Sequence, residues 1–178
     1  MSYKNMTTIK RYFTLSLVFL STIAFAQNGG PVIYPTPQQA TFQSGTFVQV
    51  GSLNLQNLKL EPGLTSILGS VFNLAANEGS IPLQIGKLKA AKFKSGAYQL
   101  SITAAAIKIA ADDDRGVFYA IQSLIQLAKK EGGNSTVLPQ GNISDFPDLP
   151  FRGTVEGFYG EPWSHEDRIS QFRFYGKM

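Results

Sequence analysis

The stretch YQLSITAAAIKIAADDDRGVFYAIQSLIQL, residues 98–127, decides the fold, because it carries the patterns of two strands and one helix in succession. Apolar side chains occupy every second position of its first two segments, at Tyr98, Leu100, Ile102, Ile107 and Ile109. Alternate side chains of a strand point to opposite faces, so this period of two indicates one buried face and one solvated face. Because only a short break separates the two segments, they predict an antiparallel β-hairpin.

The remainder of this stretch and the residues directly after it predict an amphipathic helix. Its apolar residues recur at helical spacing, at Val117, Ile121, Leu124, Ile125 and Ala128. The three aspartates at 112–114 suit a helix N-terminus, where a carboxylate caps free N–H groups and meets the positive end of the dipole. Lys129 and Lys130 suit the negative end, and Gly132-Gly133 would end the helix. A calcium site on the aspartates is the alternative, but no further oxygen ligands follow at loop spacing.

Upstream, the sequence predicts further strands and one more helix. Residues 40–50, ATFQSGTFVQV, have the pattern of a hairpin whose two β-rich runs are separated by Ser44-Gly45. Glu61-Pro62 begins a helix with an apolar face from residue 64 to residue 75, and IPLQIG at 81–86 predicts a short strand. The lysines of segment 87–94 fit a solvated edge better than a basic binding stripe.

These elements predict an α/β (α+β) fold, in which a small N-terminal antiparallel sheet is covered on one face by two helices. The run from residue 143 to residue 150 is rich in proline and aspartate. Because Pro147 and Pro150 cannot join a sheet ladder, we interpret this run as a domain boundary. One domain is then expected over residues 27–150 and the beginning of another over residues 151–178.

The first 26 residues have the pattern of a signal peptide. Three basic residues, Lys4, Lys10 and Arg11, precede an apolar run that ends in Ala24-Phe25-Ala26, a small-x-small cleavage pattern. We therefore expect a secreted or periplasmic protein that is cleaved near Ala26 and has no membrane association afterwards. An uncleaved N-terminal anchor is the alternative.

Composition excludes several classes of function. Without the leader, 13 of the 16 basic residues remain against 12 acidic ones, so a nucleic-acid partner loses its electrostatic support. The chain has no cysteine, which excludes thiol nucleophiles and cysteine-ligated metals. We expect no cofactor and no metal site.

A second informative stretch is FRGTVEGFYGEPWSHEDR, residues 151–168. Residues 154–158 suit a short strand, Ser164 suits a helix N-cap, and Ile169, Phe172 and Tyr175 suit the apolar face of the following helix. This order is one βα unit, and its loop is rich in glycine and aromatic residues. Aromatic rings offer flat apolar faces to a sugar, and glycine lets the backbone approach its hydroxyl groups closely.

The same residues resemble a known family. RGTVEGFYGEPWS followed by R.SQ...YGKM resembles the opening of the catalytic barrel of glycoside hydrolase family 84, the β-N-acetylglucosaminidases. The preceding residues resemble the non-catalytic α/β domain that precedes the barrel in families 20 and 84. The resemblance implies a (β/α)8 barrel, of which residues 151–178 would be the first βα unit. It also implies a retaining mechanism in which the 2-acetamido oxygen of the substrate attacks the anomeric carbon, assisted by two adjacent aspartates.

The resemblance assigns three residues of this chain to substrate binding. Gly157 matches a glycine whose backbone approaches the sugar, and Phe158 and Tyr159 match the aromatic wall beside it. The structural alternative is a tight strand end for Gly157 and a place in a barrel core for Tyr159. No catalytic residue is carried over, because no adjacent aspartate pair follows the boundary. Glu156 is not interpreted as a lone catalytic acid.

Two hypotheses about function follow. In the first, the chain is an N-terminal fragment of a β-N-acetylglucosaminidase that hydrolyses terminal β-linked N-acetylglucosamine in glycans or glycoconjugates, and the fragment itself is inactive. In the second, it is a stand-alone secreted module that binds carbohydrate or another partner. The truncated barrel favours the first, because an isolated βα unit leaves its strand edges unpaired.

Overall fold

The computed structural model describes residues 30–56, 58–89, 95–132, 135–149, 151–157 and 160–176. Within them it forms seven strands and three helices. In chain order these are β1 (Gln39–Val50), β2 (Leu53–Asn54), α1 (Pro62–Val71), β3 (Ile81–Lys87), β4 (Tyr98–Ile102), β5 (Ile107–Ala111), α2 (Asp114–Leu127), β6 (Lys129–Glu131), β7 (Ser135–Asp145) and α3 (His165–Tyr175).

The strands form one mixed sheet in the order β1-β7-β4-β5-β3-β2, with β6 also paired to β7. The α/β class is confirmed, and so is the predicted hairpin of β4 and β5, in which Leu100 lies opposite Ile109. The sheet is not antiparallel throughout, because β3 runs parallel to both β5 and β2. Helix α1 joins β2 to β3, and a helical crossover of this kind returns the chain in the same direction.

The last strand, β7, occupies the interior of the sheet. Its second half pairs with β1 on one side and β4 on the other, whereas its first residues pair with β1 and β6. The core lies between the sheet and the two helices α1 and α2, and its fully buried side chains include Leu68, Leu100, Ile107, Ile121, Leu124 and Leu138. Each such burial contributes roughly 1.5–3 kcal/mol relative to exposure.

Residues 40–50 do not form the predicted hairpin. They belong to one long strand, β1, whose register against β7 shifts between Phe42 and Phe47. Gly45 lies inside this irregularity with a φ of 67°. A positive φ here makes a bulge rather than a chain reversal, because β7 offers a partner to both halves of the strand.

Helix α2 is shorter than predicted. It ends at Leu127, and Lys129 and Lys130 belong to strand β6, which pairs with residues 135–137 of β7. The side chain of Lys130 instead donates a hydrogen bond from Nζ to the carbonyl oxygen of Val71, the last residue of α1, at 2.5 Å. Lys130 therefore complements the negative end of a helix, as expected, but the helix is α1.

Two other boundaries also differ. Helix α1 ends at Val71 rather than near residue 75, because Leu74 forms a bridge with Leu53 of the neighbouring strand. Strand β7 continues to Asp145, so residues 143–145 lie in the sheet rather than in the predicted boundary run.

The segment after β7 has a helix but no described strand. Residues 151–157 carry no strand pairing, because no neighbouring strand lies beside them in the part of the chain that the structure describes. Helix α3 begins where predicted, with Ser164 as its N-cap. The predicted signal peptide, Phe158 and Tyr159 lie outside the described residues. No described helix has the length and apolar character needed to cross a membrane.

Candidate functional site

The predicted sugar-binding turn lies between residue 156 and helix α3. Gly157 is exposed to solvent, and Gly160 adopts a φ of 114°, which favours glycine. Trp163, at the far end of the turn, keeps 45% of its surface exposed. Gly157 and Trp163 therefore leave backbone and ring surface open to solvent, and neither is buried in a core within the described residues.

One ion pair spans this turn. Arg168 donates from Nε to Oε2 of Glu156 and from Nη2 to Oε1, and both distances are 2.9 Å. The backbone N–H of Trp163 also donates to Oε1 of Glu156, at 3.4 Å. A guanidinium that meets both oxygens of a carboxylate forms the geometrically most specific kind of ion pair. We call Glu156, Trp163 and Arg168 the clasp.

The clasp keeps Glu156 ionised. The hydrogen bonds from Arg168 hold the pKa of Glu156 below its usual range, and Glu156 in turn raises the pKa of Arg168. A carboxylate stabilised in this way accepts hydrogen bonds and is a poor proton donor at neutral pH. The chemistry therefore agrees with the interpretation that Glu156 is not a lone catalytic acid.

Helix α3 carries the other half of the clasp. The Ser164 side chain accepts from the backbone N–H of Asp167 at 3.1 Å, and Asp167 accepts from the backbone N–H of Ser164 at 3.3 Å. This reciprocal capping box satisfies donors that the first turn would otherwise leave free. His165 is exposed in that turn. The apolar face predicted at Ile169, Phe172 and Tyr175 is solvent-accessible within the described structure, where α3 buries none of its residues.

A cleft of about 680 Å³ separates this segment from the first domain. Its walls include aromatic, amide and charged side chains from both sides: Tyr34, Gln38, Tyr119, Asp145, Arg152 and Phe172. Deeper in the cleft wall, the hydroxyl of Tyr98 lies 2.6 Å from that of Ser123. Burial raises the pKa of Tyr98 well above its usual value. Alternation along β4 predicts only that Tyr98 is buried; the sign of a polar contact is that this buried side chain carries a hydroxyl.

The aspartates at 112–114 cap a helix. Asp113 is the N-cap of α2 and accepts from the backbone N–H of Gly116 at 2.9 Å. It also accepts from the Ser95 hydroxyl at 2.6 Å and from the backbone N–H of Gly96 at 3.1 Å. The capping interpretation is confirmed. Among the described residues, no group of three or more histidine, cysteine, aspartate or glutamate side chains is placed to hold a metal ion.

Comparison with known families identifies the first domain. Residues 30–146 match the family described as glycosyl hydrolase family 20, domain 2. The chain belongs to this family. Residues 152–178 of this family 20 domain 2 protein match a second family, described as beta-N-acetylglucosaminidase. The second match begins at Arg152 and contains the predicted turn.

Curated relatives of this family 20 domain 2 protein are much longer. The Beta-hexosaminidase of Vibrio vulnificus is 31% identical over 123 residues, which are 68% of this chain and 14% of that protein. The N,N'-diacetylchitobiase of Vibrio harveyi is 44% identical over 62 residues, 35% of this chain and 7% of that protein. The chain thus spans about a seventh or less of the length of these two relatives.

Solved structures of two glycoside hydrolase families share the fold. The structure of CpGH84B matches with a TM-score of 0.67 at 28% identity. The superposed region covers 83% of this chain and 28% of CpGH84B. The GH20 exo β-N-acetylglucosaminidase of Vibrio harveyi, solved in complex with N-acetylglucosamine, has a TM-score of 0.52 at 20% identity. The superposed region covers 68% of this chain and 20% of the Vibrio harveyi enzyme. At 20% identity this likeness shows the fold alone.

Proposed function

We propose that this chain spans the non-catalytic domain and the first part of the catalytic domain of a secreted β-N-acetylglucosaminidase. The observation that carries the proposal is the match of residues 152–178 to the beta-N-acetylglucosaminidase family, because that segment contains the exposed turn after Glu156. The domain division at residue 150 and the signal peptide over residues 1–26 form part of the same proposal. The substrates are glycans or glycoconjugates that end in β-linked N-acetylglucosamine.

Within this proposal, the catalytic domain is a (β/α)8 barrel of family 84. The motif EGFYGEPW, residues 156–163, favours family 84 over family 20. The structure of CpGH84B supports it, since the likeness covers 83% of this chain and so includes more than the residues that match family 20 domain 2. Residue 157 then lies at the C-terminal end of the first barrel strand, the face where barrel enzymes place their active sites.

The residues of the turn bind substrate rather than break its bond. The backbone of Gly157 forms hydrogen bonds with sugar hydroxyls, and Phe158 and Tyr159 form the apolar wall beside the sugar. The acetamido oxygen of the substrate attacks the anomeric carbon while the bond to the glycosidic oxygen breaks, and that oxygen leaves with a proton from a carboxyl group. Water then attacks the same carbon and displaces the acetamido oxygen, so two successive inversions retain configuration without a protein nucleophile. Two neighbouring carboxylates orient the acetamido group and transfer the proton. Residues 151–178 contain no adjacent aspartates, so we propose that this chain alone does not hydrolyse the substrate.

A sugar titration tests the binding role of the turn. Trp163 is the only tryptophan of the sequence and stands at the end of the turn, so its emission reports on this place alone. We expect N-acetylglucosamine to change the emission in a saturable way and glucose, which lacks the acetamido group, to have little effect. Gly157→Val should abolish the response, because a branched side chain would occupy the path of the sugar.

The matched control is Gly153→Ala, at an exposed glycine of the same segment where an added Cβ meets no atom within 4 Å. It should leave the response unchanged. A response that is the same for glucose, or that survives Gly157→Val, would contradict the proposed role of the turn. An assay with an aryl N-acetylglucosaminide should detect no turnover by the chain alone, and turnover above the enzyme-free rate would contradict its inactivity.

A further inference from the structure

We propose that Glu156 and Arg168 are positioning residues, whose ion pair holds Gly157 in place relative to helix α3 and thereby presents it to the sugar. This inference rests on the proposed function for what the turn binds. The role of the clasp in holding the turn follows from the geometry by itself, and the two parts can be tested separately.

The clasp joins the two ends of the turn. Glu156 directly precedes Gly157, whereas Trp163 and Arg168 follow the turn. One carboxylate therefore receives donors from two points beyond the turn, the Trp163 backbone N–H and the Arg168 guanidinium. Because both oxygens of Glu156 are engaged, the carboxylate cannot rotate without losing at least one contact.

Arg168 lies in the first turn of helix α3, and a capping box stabilises this turn. The Ser164 and Asp167 capping box closes the first turn of α3, and the backbone N–H of Arg168 donates to the carbonyl oxygen of Ser164 at 3.2 Å. The guanidinium thus projects from a capped helical turn instead of from a loose loop. Sites supported by regular elements hold their geometry more precisely than sites on loops alone.

The ion pair is better explained by positioning than by a contribution to the stability of the fold. The side chains of Arg168 and Glu156 are 38% and 22% exposed, and ion pairs at the protein surface contribute little to stability. Stabilisation of the fold is therefore a weak reason for a paired, two-pronged contact. The contact instead joins the residue before the exposed Gly157 to the first turn of helix α3, and Gly160, with its positive φ, lies between them.

The chemistry of both residues is specific. Lysine would keep the charge of Arg168 but offers a single ammonium group, which cannot meet both oxygens in one plane. Glutamine would keep the size of Glu156 but loses the charge and one acceptor oxygen. Both substitutions preserve volume, so they test the contact without a large change in packing.

The experiment first measures the environment of Trp163 in the turn and then measures the binding of N-acetylglucosamine. In the full chain, Glu156→Gln and Arg168→Lys are compared with wild type by the amide resonance of Trp163 and by quenching of its emission with acrylamide. We expect both variants to shift that resonance and to increase quenching, while far-ultraviolet circular dichroism stays unchanged. Glu166→Gln, at an exposed carboxylate of the same helical turn, is the matched control and should change neither reading.

The same variants are then titrated with N-acetylglucosamine. A displaced turn should weaken binding by about tenfold, since misplacement on the ångström scale costs up to roughly a hundredfold. An unchanged Trp163 resonance and unchanged quenching in both variants would overturn the positioning role. If the variants shift the Trp163 resonance but the wild-type chain does not bind N-acetylglucosamine, the positioning role of the clasp is confirmed and the proposed function is contradicted. If Glu156→Gln fails to fold, Arg168→Lys decides alone.

Discussion

The guanidinium carbon of Arg152 lies 5.3 Å from the centroid of the Tyr119 ring. This contact joins the segment before the proposed sugar-binding turn to helix α2. A cation above an aromatic face at an exposed site contributes about 0.5–1 kcal/mol. The contact therefore restrains the segment without contributing much to global stability.

Removing the ring should free the segment. In Tyr119→Ala we expect trypsin to cleave after Arg152 several times faster than in wild type, because the guanidinium loses its aromatic partner. Tyr119→Phe keeps the ring and should retain the wild-type rate. Mass spectrometry of timed digests measures both, and equal rates for the alanine and phenylalanine variants would mean that the ring does not hold Arg152.

The buried hydroxyl pair of Tyr98 and Ser123 should show energetic coupling. Ser123→Ala leaves the Tyr98 hydroxyl without this partner, and an unsatisfied buried polar group costs about 1–3 kcal/mol. The double variant Tyr98→Phe/Ser123→Ala removes both hydroxyls and should cost less than the sum of the single variants. Urea unfolding of the four proteins gives the coupling, and strict additivity would contradict a shared hydrogen bond.

The raised pKa of Tyr98 predicts a loss of stability at alkaline pH. The folded state favours the neutral phenol because burial penalises the phenolate, so folding stability is complete below about pH 10, the usual value for an unfolded tyrosine. Above that pH the unfolded chain releases this proton and the folded chain does not, so the free energy of unfolding decreases. Unfolding curves between pH 8 and pH 11 measure the decrease, which should be smaller in Tyr98→Phe. An identical pH dependence in both proteins would contradict the assignment.

The N-cap of α2 should matter at acid pH. Burial raises the pKa of Asp113, but the hydrogen bonds from Ser95, Gly116 and Gly96 outweigh it and hold the pKa below its usual range. Its contribution is therefore present above about pH 4, the unfolded value, and is lost as the pH falls through the folded pKa. Asp113→Ala should lower the free energy of unfolding at pH 7 by about 0.5–2 kcal/mol.

Asp112→Ala is the matched control for the cap, because Asp112 is exposed beside Asp113. Chemical denaturation at pH 7 and pH 3 compares the two variants with wild type. The difference between Asp113→Ala and wild type should shrink at pH 3. A large effect of Asp112→Ala would mean that the aspartates act together rather than through one cap.

Close packing of α2 on the sheet predicts a strong effect at Gly116. A Cβ at this position would lie 2.4 Å from the carbonyl oxygen of Ala97, which is backbone and cannot rotate away. Gly116→Ala should therefore destabilise the fold by about 1–3 kcal/mol or more, in spite of the better helix propensity of alanine. Gly63→Ala in α1, where no atom lies within 4 Å of an added Cβ, should not destabilise it. Equal midpoints for both variants in urea would contradict this packing.

The elements that the sequence predicted correctly are those whose determinants are local. The β4–β5 hairpin follows from alternation within a few residues, and the cap of α2 follows from one aspartate and the next helical turn. The continuity of β1 could not be predicted, because its partner β7 lies in a distant part of the chain. For the same reason the local sequence predicts a helix end at Lys129, whereas this residue pairs with Val137 of β7 in strand β6.

The candidate site divides in the same way. The Ser164 capping box and the exposed glycine turn follow from short motifs. The clasp does not, because the contact of Glu156 with Arg168 depends on how the chain between them folds back. The sequence motif raises only the question whether Glu156 is a lone catalytic acid, which is rejected, and it indicates no partner for Arg168.

The place of β7 in the middle of the sheet has a consequence for biosynthesis. When a ribosome has released the chain through β5, β1 still lacks its sole described pairing partner, because β1 pairs with β7 among the described strands. The nascent domain cannot complete its sheet until residue 145 has emerged, and such distant pairings form slowly. During that delay an unpaired strand is accessible to other chains, so conditions that slow elongation after residue 111 should increase aggregation of this domain.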